Sequence, residues 1–284
     1  QPSQWFTLAS LFWLPWILTT AFLLLHVHLV RGVVQASVAW WFSGNLLVVW
    51  LALAGLGAAF YLLPTLAGRP LHSPHTAHFV FWTLILFGTW TGIPGGAALP
   101  AWMPSLSASA SLMLLVPALA IVVIAKKTAC GTTVKSRGDC LCYTNFGITS
   151  LALSLVLLAV TGIPQVGRVT DFTWYNQGHT AMRLYSFFAM IMFSAAYHIL
   201  PQITGQTICR NRIRAHFWLA MPGTLLMSLP LVAPPGLPPE RLEALEKAFM
   251  DMTRDAAFRK EAQDMRIDYS PIDGKAVLAL VRQA

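Results

Sequence analysis

Eight histidines are the natural ligand candidates in this chain, and their positions sort them. His179 opens a long apolar run, in Gly178-His179-Thr180-Ala181-Met182-Arg183. His26 and His28 stand near the corresponding end of the first apolar run. A neutral imidazole at membrane depth is a good axial ligand for haem iron, and an ionisable group at that depth marks a functional site by default. His179 is therefore the first candidate for haem iron, with His26 and His28 behind it. His72, His75 and His78 lie in or beside a basic loop, and His216 repeats the setting of His78. Interfacial solvation accounts for these four, and His198 reads as a polar packing group. Arg183 lies one helical turn from His179 on the same face. It suits a buried carboxylate or a haem propionate. The expected arrangement, however, lays its stem along apolar surface and sends the guanidinium outward to water.

Other chemistries find no support. Cys130, Cys140, Cys142 and Cys209 have the wrong spacing for a zinc site. No phosphate loop, nucleophile elbow or paired-carboxylate site is present. No Asp or Glu falls within an apolar run, so a proton relay through this chain lacks its usual carriers.

The elements that must position these groups are helices. Apolar runs cover about 6–30, 41–63, 76–94, 106–125, 147–164, 179–201 and 215–233, and Arg183 is the one full charge inside them. Runs of about 18 residues or more with almost no charge are long enough to cross a bilayer. The composition agrees: 11% of residues are charged, against about 25% in soluble domains. The chain therefore reads as an all-α polytopic membrane protein with about seven transmembrane helices in residues 1–233, and the lipid bilayer is its first partner. The run at 215–233 contains Pro222, Gly223 and Pro230 and is the weakest span.

The net charge of +8 belongs to loops and does not indicate nucleic acid. Loops after the second, fourth and sixth runs carry Arg69, Lys126, Lys127, Lys135, Arg137, Arg210, Arg212 and Arg214. Those after the first, third and fifth carry only Arg31 and Arg168. The positive-inside rule puts the first set in the cytoplasm, the N-terminus with it, and the tail outside.

A weak repeat runs through the chain. Leu63-Pro64, Gly68 and Ala77-His78-Phe79 correspond to Leu200-Pro201, Gly205 and Ala215-His216-Phe217. Each copy reads as a helix ended by Pro and Gly, a short turn, and a second helix. Beyond the Pro-rich linker 234–239, residues 240–284 read as a small, mostly helical tail. Leu242, Leu245, Phe249 and Met252 recur at helical spacing. The tail has too few large apolar groups for a core of its own.

Residues 5–220 resemble subunit I of haem–copper oxidases, specifically the bacterial cbb-type (C-family) cytochrome c oxidases. The resemblance is carried by Trp40-Trp41-Phe42-Ser43-Gly44-Asn45, Pro64 to Pro70, His78-Phe79, Trp90-Thr91-Gly92, Ala98 to Trp102, Gly178-His179 and Tyr197 to Pro201. It implies a partial oxidase bundle in a bacterial inner membrane, b-type haem, and other respiratory-complex subunits as partners. It also implies that His179 holds the place of the high-spin haem ligand. The family's activity is cytochrome c oxidase, yet several expected ligands are replaced. Gly44 stands where the family has its first copper-binding histidine, Pro94-Gly95 where it has an adjacent pair, and Ala181 at the low-spin haem ligand. The helix with the other low-spin ligand would precede Gln1. The resemblance thus implies a degenerate, truncated subunit that holds no copper and reduces no oxygen alone. A residual b-type haem protein for electron transfer is the alternative. Residues 232–284 resemble the C-terminal end of periplasmic solute-binding proteins of tripartite tricarboxylate transporters, through Pro234 to Glu240 and Ser270-Pro271-Ile272-Asp273-Gly274. A transport-associated or chimeric chain is the third reading.

Overall fold

The computed structural model describes residues 1–27, 30–95, 97, 99–130, 138–171, 173–206 and 208–228, with Lys247, Asp251 and Arg254 in the tail. His28, the linker 234–239 and nearly all of the tail helices fall outside the described residues. The chain divides into two units, Gln1–Ala233 and Pro234–Ala284. In the first, every described element is helical: α1 (Pro2–Ala21), α2 (Val33–Gly44), α3 (Leu51–Ala67), α4 (Pro74–Gly88), α5 (Trp102–Met113), α6 (Leu115–Ala129), α7 (Gly138–Thr161), α8 (Pro164–Thr170), α9 (Trp174–Ala181), α10 (Met190–Thr204) and α11 (Arg210–Met227). Wider π-helical turns join several of them, at Phe22–His26, Asn45–Trp50 and Met182–Ala189.

Among the described residues, five stretches are long and apolar enough to cross a membrane: Pro2–His26, Val33–Ala67, Trp102–Ala129, Cys140–Thr161 and Trp174–Thr204. The other two apolar runs also fall on helices. α4 has 15 residues, fewer than the ~20 that span a bilayer. α11 opens with Arg210, Arg212 and Arg214, and the end of its run lies beyond the described residues. Helices reach past the apolar stretches because polar residues cap them. The Ser73 side chain accepts the Thr76 N–H at α4, and Thr173 accepts the Tyr175 N–H at α9. These bonds satisfy N–H groups that have no partner inside the helix.

α3 is apolar on every side, so it belongs in the middle. It packs against α1, α6, α7 and α10, and Leu53, Leu56 and Leu63 are fully buried. α7 crosses behind it and is joined to α10 by hydroxyls, Thr144 Oγ1 to Ser194 Oγ at 2.8 Å. The two repeat copies share more than sequence. α3 and α10 each follow a π-helical segment, and each contains a proline near its end, Pro64 and Pro201. Each is closed by a left-handed glycine whose N–H returns to that proline's carbonyl: Gly68 at φ 67° and Gly205 at φ 68°. Glycine adopts this backbone without a Cβ clash.

Candidate functional site

His179 sits on α9 and Arg183 in the π-helical segment that follows, both 5% exposed. Ser154, fully buried on α7, meets them both. The Arg183 Nε–H donates to Ser154 Oγ at 2.9 Å. His179 Nε2 lies 2.8 Å from the Ser154 carbonyl oxygen, and Arg183 Nη2 lies 3.2 Å from His179 Nδ1. A carbonyl only accepts and a guanidinium only donates. Nε2 therefore carries the proton and gives it to the Ser154 carbonyl, with the Ser154 hydroxyl 3.1 Å away. Arg183 Nη2 lies nearly midway between the two ring nitrogens, 3.3 Å from Nε2, and of these Nδ1 has the lone pair that can accept from it. The ring of Tyr175 packs against His179 with centroids 6.0 Å apart. Contrary to the snorkelling expectation, Arg183 turns inward. Ser154 and His179 supply the acceptors that let it stay there.

This cluster borders a cavity of about 570 Å³. Trp40, Leu47, Val48, Ile93 and Leu158 give it an apolar wall, while Ser107, Asn176 and Thr180 add polar groups. Asp171 also lines it, its carboxylate accepting the Gly95 N–H at 2.9 Å. On the wall opposite α9, two backbones touch. A Cβ on Gly44 would run into the Thr91 carbonyl oxygen, and one on Gly92 would come 3.0 Å from the Gly44 Cα. Gly92 has φ +105°, a conformation that only glycine adopts freely. Asn45, fully buried, fixes this contact. Its Nδ2 donates to the carbonyls of Trp41 at 2.9 Å and Thr89 at 3.2 Å, and its Oδ1 accepts the Trp13 indole N–H at 3.3 Å.

The three sequence candidates do not converge among the described residues. His26 is exposed, stacks on Phe22 with centroids 5.1 Å apart, and is not in the wall of this cavity. His28 lies outside the described residues. His216 is better embedded than interfacial solvation implies: its Nδ1 is 2.9 Å from both the Tyr143 and Tyr197 hydroxyls. Sequence reasoning missed Ser154 and Asn45. The available signal was weak, since each shares its apolar run with other polar side chains, Ser154 with Thr149, Ser150 and Thr161 and Asn45 with Ser43.

The residues present do not fit haem iron on His179 as they stand. Axial ligation uses a free imidazole lone pair, and here Nε2–H is spent on Ser154 and Nδ1 on Arg183. Nor is there room for an imidazole at Gly44, because the Thr91 carbonyl fills the place of its Cβ. Among the described residues, no three His, Cys, Asp or Glu side chains gather into a ligand set.

Comparison with known proteins places the scaffold. Residues 2–236 match the family model described as "Cytochrome C and Quinol oxidase polypeptide I". Over 206 residues, 70% of this chain and 43% of the relative, it is 32% identical to the cbb3-type cytochrome c oxidase subunit CcoN1 of Stutzerimonas stutzeri. It is 28% identical over 206 residues to cytochrome c oxidase subunit 1 of Rhodobacter capsulatus, covering 70% of this chain and 38% of that one. It is 27% identical over 205 residues to a cytochrome c oxidase subunit 1 homolog of Agrobacterium tumefaciens, covering 69% of this chain and 37% of that one. The chain thus spans less than half the length of these curated relatives. With its polytopic helical fold and this match over most of its length, the chain belongs to the cytochrome c and quinol oxidase polypeptide I family, the subunit I of haem–copper oxidases.

Proposed function

We propose that this chain is a degenerate subunit I that serves as a non-catalytic membrane component of a respiratory assembly and does not reduce oxygen by itself. It would lie in a bacterial inner membrane with a cytoplasmic N-terminus, against other respiratory-complex subunits. The observation that carries the proposal is the backbone contact at Gly44. Its family counterpart, by the resemblance, is a copper-binding histidine. Here the Thr91 carbonyl occupies the space such a side chain would need first. Pro94 and Gly95, aligned with two more copper histidines, have no side-chain donor to offer. Binuclear oxygen chemistry needs both metals held beside each other, and nothing at these positions grips copper. Haem b on His179 would require Ser154 and Arg183 to release the ring. The cavity beside His179 favours that as the second reading, since it is of cofactor size.

The test is the purified chain in neutral detergent, with copper content, reduced haem spectrum and oxygen uptake measured together. No copper and no oxygen uptake are expected. One tightly held copper per chain together with oxygen uptake would overturn the proposal. A stoichiometric b-type spectrum lost in His179→Ala would establish the second reading.

A further inference from the structure

We infer that the cavity beside Arg183 binds an organic carboxylate, its anionic head on the guanidinium and its apolar body against the Trp40, Leu47, Ile93 and Leu158 wall. The inference stands whether or not the chain holds copper.

Arg183 is a cation held at 5% exposure, within a span that can cross the membrane. Its hydrogen-bonding partners are Ser154 and His179. Ser154 is neutral, and His179 is neutral in the tautomer these bonds require. No carboxylate is bonded to it among the described residues. A buried charge with neutral partners only is costly, and proteins compensate it with a counter-charge. The guanidinium also keeps donors in hand. It has five N–H groups, and among the described residues its Nη1 amino group makes no hydrogen bond. Arg183 lines the cavity, so a head group there is within reach of the guanidinium.

The chemistry of the occupant follows from the fork and the volume. A guanidinium presents parallel N–H groups that match the two oxygens of a carboxylate. A cavity of about 570 Å³ is far larger than a simple anion needs, and lies inside the ~300–1,000 Å³ range of organic-ligand pockets. The apolar wall suits a hydrocarbon or aromatic body. The Asp171 carboxylate, which accepts the Gly95 N–H, offers an anionic head group no donor, so Arg183 is the head-group site. The carboxylate has two possible carriers, a porphyrin propionate and a free amphiphilic acid.

The experiment uses the whole chain in neutral detergent with four probes: 1-naphthoate, its amide, metal-free protoporphyrin IX, and its dimethyl ester. Affinity is followed by tryptophan fluorescence and thermal stability. At least one acid is expected to bind, with its neutral analogue weaker by about 10–100-fold, the worth of a hydrogen bond to a charged group. Arg183→Met should weaken the acid by a similar factor and leave the neutral analogue unchanged. Naphthoate binding alone identifies a free acid, and porphyrin binding alone identifies a propionate; either supports the proposal. If neither acid binds, or if acid and neutral analogue bind alike, the proposal fails. Should Arg183→Met not fold, the native chain decides: a carboxylate band of ¹³C-labelled acid shifted on binding supports guanidinium contact, and an unshifted band overturns it.

Discussion

Replacing Ser154 by alanine removes one hydroxyl and leaves the Arg183 Nε–H facing a methyl group. The perturbation is local, since Ser154 is fully buried and its backbone carbonyl, which holds His179, is unchanged. The main bond lost is a 2.9 Å contact from a charged donor; the hydroxyl also lies 3.1 Å from His179 Nε2, which keeps its shorter bond to the Ser154 carbonyl. Hydrogen bonds to charged groups are worth about 1.5–3 kcal/mol, whereas neutral bonds between membrane helices average about 0.6 kcal/mol. The charged, buried geometry puts Ser154→Ala in the upper range, about 2 kcal/mol, or roughly a thirtyfold drop in the folding constant. Unfolding of the detergent-solubilised chain, followed by tryptophan fluorescence, measures the loss. A double-mutant cycle with Arg183→Met isolates the pair, because the serine should matter little once the guanidinium is gone. A loss below about 0.5 kcal/mol, or no coupling in the cycle, would refute the claim that this serine holds the arginine inside the bundle.

Two glycine substitutions separate strain from space, and both are read from the shift in thermal unfolding. Gly92→Ala should cost about 2–6 kcal/mol, combining backbone strain of about 1–3 kcal/mol with overpacking of similar size. Both terms apply because its φ is +105° and its Cβ would come 3.0 Å from the Gly44 Cα and 3.1 Å from the Trp40 carbonyl. Gly205→Ala meets nothing within 4 Å, so its cost should be purely conformational, about 1–2 kcal/mol. Gly205→Asn should recover most of that loss, since asparagine tolerates a left-handed backbone.

Much of the bundle was legible because hydropathy acts locally. A helix such as Leu51–Ala67, apolar on all faces, declares itself without knowledge of its neighbours. The repeat was legible for the same reason: Pro64 with Gly68 and Pro201 with Gly205 encode two helix ends within a few residues each. What escaped depends on partners far apart in the chain. Arg183 was expected to snorkel outward because no carboxylate stands in any apolar run to pair with it. Its second acceptor besides His179, Ser154, comes from α7, 29 residues earlier. The phenols around His216 stand 73 and 19 residues away, so a histidine beside a basic loop looked merely solvated. The glycines at 44 and 92 were visible as letters, but not as surfaces pressed together.

That pressing together gives the architecture a direction in sequence space. A glycine at 44 is tolerated because the chain at 91–92 has closed over it, and the closure now forbids even the smallest side chain. No single codon change can put a ring there; the 89–92 segment must first be re-routed and the Asn45 clasp on Thr89 released. Engineering a metal ligand at position 44 therefore begins with the loop, and the ligand comes last.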